Sequence, residues 1–183
     1  MARITLAITG SIAAYKTVDL VSSLKKQGHS VTVLMTQAAT AFIQPLTLQV
    51  LSQNTVHLDV MHEPFPDQVN HIQIGKETDL FIVVPATANT IAKLAHGFAD
   101  NMVTATALAL PHFVPKLLAP AMNTKMYDHP ATQANLKTLE DYGYTIISPK
   151  DSLLACGDTG RGALADLETI LQEIKDKIHE QTL

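Results

Sequence analysis

The segment DLFIVVPA, Asp79–Ala86, is apolar on every residue from Leu80 to Val84. Side chains alternate between the two faces of a strand, so such a run buries both faces. A chain holding it must supply cover above and below. RITLAIT (Arg3–Thr9), SVTVLMT (Ser30–Thr36), PKLLAPA (Pro115–Ala121) and YTIISP (Tyr144–Pro149) read as further strands. Between them lie segments of helical character. SIAAYKTVDLVSSLKKQG carries Ile12, Tyr15, Val18, Leu20, Val21 and Leu24 at helical spacing, with Gly28 as its stop. Others start near Ala88 or run over His129–Tyr142 and Asp166–His179. Strands alternating with helices predict right-handed crossovers and a mostly parallel sheet covered by helices on both faces. That is an α/β, three-layer, Rossmann-like (flavodoxin-like) fold. Gln53–Asn70, with Pro64 and Pro66, reads as an irregular loop holding at most a short strand. Without repeats or linkers, residues 1–183 read as one domain.

A net charge of −4 argues against nucleic acid as a partner. No apolar run reaches the 18 residues of a membrane span, and MARITLAITG is too short an apolar stretch for a signal peptide. One cysteine cannot form an internal disulfide, so a cytoplasmic location is expected. From Gln27 to Leu58 there is no Asp, Glu, Lys or Arg, although Gln37, Thr40, Gln44, Thr47 and Gln49 keep the stretch too polar for a membrane. Interface cores are depleted of charge. The stretch is therefore expected to be largely buried, in part by another subunit. A covered core segment of a monomer is the alternative.

In parallel sheets ligands sit outside the carboxyl ends of the strands. Those ends read TGSIAAYK, MTQAATAF, VVPATANT, APAMNTKM and SPKDSLLACGD, all rich in small hydroxyl, amide or glycine residues. They point to a phosphate-bearing ligand. Gly10 stands at a strand-to-helix turn and Ser11 at the cap position, where free N–H groups and the helix dipole attract an anion. Ile12 and Ala13 occupy places where a dinucleotide fingerprint has glycine, so an ordinary tight turn stays open as a reading. PATANT repeats the arrangement with Thr87, Asn89 and Thr90, against plain helix capping. In PAMNTKMY, Asn123 can donate to a carboxylate and accept from an amide. Met122 and Met126, four apart, form either an apolar wall or core. His71, in NHIQIGKETD, is a candidate base or a surface histidine. Lys93, Lys116, Lys125 and Arg161 are scarce cations, of which one or two could hold phosphate. LLACGDTGRGAL sets Cys156 beside Gly157, Gly160 and Gly162 and reads as a flexible, polar loop.

GSIAAYK, HIQIGKETDLFIVVPATANTIAKLAHGFADN, PAMNTKMY and ACGDTGRGAL, in this order and spacing, resemble the homo-oligomeric flavin-containing cysteine decarboxylases over about Arg3 to Ile178. Tyr127 departs from the pattern, since many members have tryptophan there. The resemblance implies FMN held by Gly10, Ser11, Ile12, Thr36 to Ala38, Phe42, Thr87, Ala88, Asn89, Thr90 and Ala121. It implies a homo-oligomer, a trimer or a dodecamer built from trimers, with flavin at a subunit interface. No metal is expected. It assigns catalysis to His71, Asn123 and Cys156, and substrate contact to Asn123, Met122, Met126, Lys125, Ala155, Gly157 and Arg161.

The implied activity is decarboxylation of 4′-phospho-N-pantothenoylcysteine to 4′-phosphopantetheine in coenzyme A biosynthesis. Direct loss of CO2 would leave an unstabilised carbanion. Oxidising the thiol to a thioaldehyde creates an electron sink, and a flavin can take and return the hydride. In that scheme Asn123 orients the carboxylate, His71 serves as base or electrostatic partner, and Cys156 protonates the enethiol carbon. The glycines let the loop close over the substrate. A separate ligase would supply the substrate. The alternatives are a peptidyl-cysteine decarboxylase of peptide antibiotic maturation, a flavin prenyltransferase, and a non-catalytic phosphatase-regulating flavoprotein. PAMN and Cys156 disfavour the prenyltransferase, and ACGDTGRG disfavours the peptide-directed enzyme.

Overall fold

The structure, a computed structural model, describes residues 1–64, 66–153, 157 and 159–180. Six strands, β1 (Arg3–Ile8), β2 (Ser30–Met35), β3 (Val56–His57), β4 (Leu80–Ala86), β5 (Lys116–Pro120) and β6 (Tyr144–Ile146), form one sheet in the order β3-β2-β1-β4-β5-β6. Every pairing in it is parallel. The helices are α1 (Thr17–Lys26), α2 (Pro45–Ser52), α3 (Asn70–Glu77), α4 (Ala88–Ala95), α5 (Met102–Leu108), α6 (Thr124–Asp128), α7 (Pro130–Asp141) and α8 (Leu167–Glu180). A separate antiparallel hairpin pairs β7 (Lys150–Leu153) with β8 (Thr159–Ala163).

The uninterrupted apolar run explains the layers. Leu80, Ile82 and Val84 turn to one face and pack with Leu20, Leu24, Leu48, Ile170 and Ile174 of α1, α2 and α8. Phe81 and Val83 turn to the other and pack with Ile74, Ile91, Met102, Val103 and Leu139 of α3, α4, α5 and α7. Burial of each such side chain contributes about 1.5–3 kcal/mol. The three-layer expectation therefore holds, with β3 as the short strand allowed for within Gln53–Asn70.

Two expectations need correction. The helix expected over Ser11–Gly28 opens as a 3₁₀ turn, Ile12–Lys16, capped when Ser11 Oγ accepts from the Ala13 N–H at 3.3 Å. The glycine-rich segment is not simply a loop, because Thr159–Ala163 is a strand. The uncharged stretch is covered only in part by its own chain: Val31, Val33, Leu34 and Met35 are buried, whereas Phe42, Leu46 and Val50, at successive intervals of four, are 45%, 66% and 67% exposed. Leu46 and Val50 lie on α2, which opens with Pro45 and carries no charged residue, and Phe42 precedes it at the end of a 3₁₀ turn.

Candidate functional site

Strand order reverses between β1 and β4, since the chain runs outward through β2 and β3 and then begins again on the other side. A crevice opens at the carboxyl ends of these two strands. Threonines tie them together there. Thr9 Oγ1 donates to the Pro85 carbonyl at 2.6 Å and accepts from the Thr87 N–H at 3.1 Å. Thr87 caps α4, accepting from the Thr90 N–H at 3.3 Å. Thr90 is buried against it, with the two hydroxyls 3.2 Å apart, so its side chain braces Thr87. Ala88 is half-buried at the helix start, and Asn89 is exposed beside it. Gly10 is required by close approach: a Cβ there would lie 2.6 Å from the Ala38 Cβ. That contact brings the turn after β1 against the turn after β2.

Ser11, Ile12, Ala121, Met122 and Asn123 line one cleft of about 420 Å³, a volume suited to a small cofactor or substrate. Ser11 Oγ reaches the Ala121 carbonyl at 3.4 Å, joining the exits of β1 and β5. Asn123 caps α6, its Oδ1 accepting from the Lys125 N–H at 2.9 Å. The hairpin closes the far wall through Gly162 and Ala163. The Met122 N–H donates to the Gly162 carbonyl at 2.9 Å, and a Cβ on Gly162 would sit 2.3 Å from the Met122 carbonyl oxygen. Gly160 leaves similar room for Thr124, at 3.0 Å. These two glycines thus serve close packing of β8 on the Asn123 segment, a role the loop-closing reading missed. Gly162→Ala is expected to cost about 2 kcal/mol through overpacking. A thermal melt checks this, and an unchanged midpoint would show that the segment yields freely.

The remaining candidates are spread more widely. Met122 lines the cleft and packs partly into the core, whereas Met126 is 50% exposed and is not among the residues that line the cleft. Lys125 and Arg161 are exposed, and Arg161 stands opposite Asp151 in the hairpin. Gly157 is exposed. Ala155 and Cys156 lie outside the described residues. Lys93 is paired with Asp100. Lys116 lies 5.5 Å from the Tyr144 ring centroid, and burial holds its ammonium below the usual lysine range. It borders a larger cavity, of about 680 Å³, with His96, His112 and Tyr144. That cavity takes in the first residues of β5 and β6, the edge of a parallel sheet where ligands do not sit. Two further cations, Lys16 and Lys150, line the Asn123 cleft. Lys16 ends the GSIAAYK segment, so its place was there to be read; Lys150 is paired with Asp166.

His71 sits near the start of α3 and lines a different cavity, with Val60, Ile72, Ala99, Ala105, Leu108 and Ala109. None of these residues lines the Asn123 cleft. The Nδ1 of His71 is buried and has no hydrogen-bond partner among the described residues. The same is true of Thr36 Oγ1, at the exit of β2. Thr106 Oγ1 and Thr124 Oγ1 share this state, and buried polar atoms are normally satisfied; of the four, Thr36 stands at a carboxyl strand end, where a bound molecule would complete the bonding. The hydroxyl at Thr36, the turn at Gly10–Ile12 and the Thr87 cap fit a phosphorylated, hydrogen-bonding cofactor.

Residues 1–179 match the family described as Flavoprotein. A relative from Streptococcus mutans serotype c, a probable phosphopantothenoylcysteine decarboxylase, is 60% identical over 176 residues, covering 96% of this chain and 98% of the relative. The chain also matches bifunctional coenzyme A biosynthesis proteins but spans less than half of their length, 44% for the one from Bacillus subtilis. Among solved structures, a cysteine-to-serine mutant of PPC decarboxylase complexed with pantothenoylaminoethenethiol has a TM-score of 0.85 at 32% identity, covering 95% of this chain and 96% of that one. The FMN-dependent cysteine decarboxylase SpaF has a TM-score of 0.85 at 28% identity, covering 100% and 98%.

Proposed function

This chain belongs to the Flavoprotein family, and from that premise we propose that it is the FMN-dependent decarboxylase that converts 4′-phospho-N-pantothenoylcysteine to 4′-phosphopantetheine in coenzyme A biosynthesis. The observation that carries this reading is the placement of Asn123 in the cleft at the carboxyl edge, walled by Ser11 on one side and the Gly162 strand on the other. FMN supplies a two-electron acceptor that is restored within each turnover. Gly10, Ser11, Ile12 and Ala121 would hold it with Thr36, Ala38 and Phe42 and with Thr87, Ala88, Asn89 and Thr90.

The chain's own residues then have separable tasks. The thiol proton and a hydride from the adjacent carbon would have to leave the substrate to give a thioaldehyde, the chemistry that bound FMN would supply. Asn123 holds the neighbouring carboxylate by an amide N–H, in the geometry for C–C cleavage. His71 takes up or stabilises charge in this first half. Loss of CO2 leaves an enethiolate. Cys156 would deliver a proton to the enethiol carbon, and the product has one carboxylate less and no net change in redox state. The pantothenoylaminoethenethiol found with the PPC decarboxylase mutant is an enethiol of the kind this scheme requires, which supports it. Met122, Met126, Lys125, Ala155, Gly157 and Arg161 are proposed to surround the substrate.

His71 and Asn123 line cavities with no residue in common. That separation supports a site completed by a second copy of the chain. The exposed Phe42, Leu46 and Val50 stripe supports the same reading, a trimer or a dodecamer of trimers. No helix among the described residues is long and apolar enough to cross a membrane. We assign the enzyme to the cytoplasm, where its metabolite substrate would be made.

The test is direct. The purified protein is expected to be yellow with a flavin spectrum and to release CO2 from 4′-phospho-N-pantothenoylcysteine. Turnover of a peptide ending in cysteine, with none of the pantothenoyl substrate, would reassign it to peptide maturation. A stable phosphatase complex without decarboxylation would make it a regulatory subunit.

A further inference from the structure

We propose that His57 and Asn70 form a positioning pair that fixes the imidazole of His71. The inference rests on the decarboxylase reading above and deepens it. His57 ends β3 and is paired in register with Leu34 of β2, so its backbone is anchored to the sheet. Asn70 opens α3 immediately before His71 and is only 8% exposed. Two bonds hold it. Its backbone N–H donates to Glu63 Oε2 at 2.7 Å, an acid suited to a helix start, and its side-chain Nδ2 meets His57 Nδ1 at 3.1 Å. An amide nitrogen can only donate, so His57 Nδ1 accepts and the imidazole proton lies on Nε2.

Burial, with the neighbouring His62, holds the His57 imidazole below the usual histidine range, which favours this neutral, accepting form. The first turn of α3 would otherwise be free to rotate or fray at its exposed loop. The β3 anchor fixes it from one side and Glu63 from the other. His71, one residue on, presents a buried Nδ1 that no described residue satisfies. An imidazole kept waiting for a partner has no bond of its own to orient it, so its direction depends on the backbone that carries it. That backbone is set by Asn70.

The discriminating experiment compares two replacements of His57 in the flavin-loaded enzyme. His57→Phe keeps the ring volume and removes the acceptor. His57→Asn loses volume but puts an acceptor oxygen near the Nδ1 position. A positioning bond predicts that His57→Phe lowers kcat about tenfold with KM changed less than about twofold and FMN content unchanged, and that His57→Asn restores most of that loss. A packing role predicts the reverse order, with Phe tolerated and Asn damaging, and would overturn the inference. Equal turnover of His57→Phe and wild type would overturn it as well. Wild-type enzyme inactive on 4′-phospho-N-pantothenoylcysteine would overturn the function itself and this pair's role with it.

Discussion

Asn123→Asp is expected to lower CO2 release by about 10²–10³-fold while leaving the flavin bound. The substitution keeps the cap of α6. Asn123 caps α6 through its Oδ1, and aspartate caps equally well with an oxygen in the same place. What changes is the other half of the side chain. The amide hydrogens are gone, and a negative charge now faces the substrate carboxylate in a partly enclosed cleft. Like charges brought together out of bulk water repel strongly, and one of them must be neutralised or displaced. Flavin absorbance of the purified variant, with mass spectrometry of the reaction mixture, gives both readouts. Near-normal turnover would remove Asn123 from the carboxylate site.

Cys156→Ser is expected to divide the reaction in two. Serine keeps the size and a hydroxyl, but its proton is far less acidic than that of a thiol, whose reference pKa is about 8.5. Oxidation and decarboxylation do not call on Cys156 in the proposed scheme, whereas protonation of the enethiol carbon does. The variant should bind FMN, release about one CO2 per site, and accumulate reduced flavin with an enethiol product two hydrogens short of 4′-phosphopantetheine. A single-turnover mixture examined by mass spectrometry would contain that species. Normal product at a normal rate would make Cys156 a structural residue of its segment.

Much of the fold was legible because its rules are local. The apolar run Leu80–Val84 required cover on both faces, and Leu80, Ile82 and Val84 do face one core while Phe81 and Val83 face the other. Gly10, Ser11 and Thr87 announced strand-to-helix turns by the residue types that such turns need. The hairpin was not legible. Gly160 and Gly162 look like flexibility in one dimension, and only their approach to Thr124 and Met122 shows that they make room for another backbone.

The layered α/β architecture, the carboxyl-edge location of the small polar turns and the family could be read from the residue order alone, because strand periodicity, capping and motif order depend on neighbours a few residues apart. Only the tertiary structure decided which candidates meet. It brought Ser11 and Asn123, 112 positions apart in the chain, into one cleft and set His71 in another cavity. It left the uncharged Phe42–Val50 stripe exposed on the single chain and placed His57 against Asn70. The physical reason is that such meetings follow from strand order and helix packing. These contacts join residues far apart in the chain, and no local pattern encodes them.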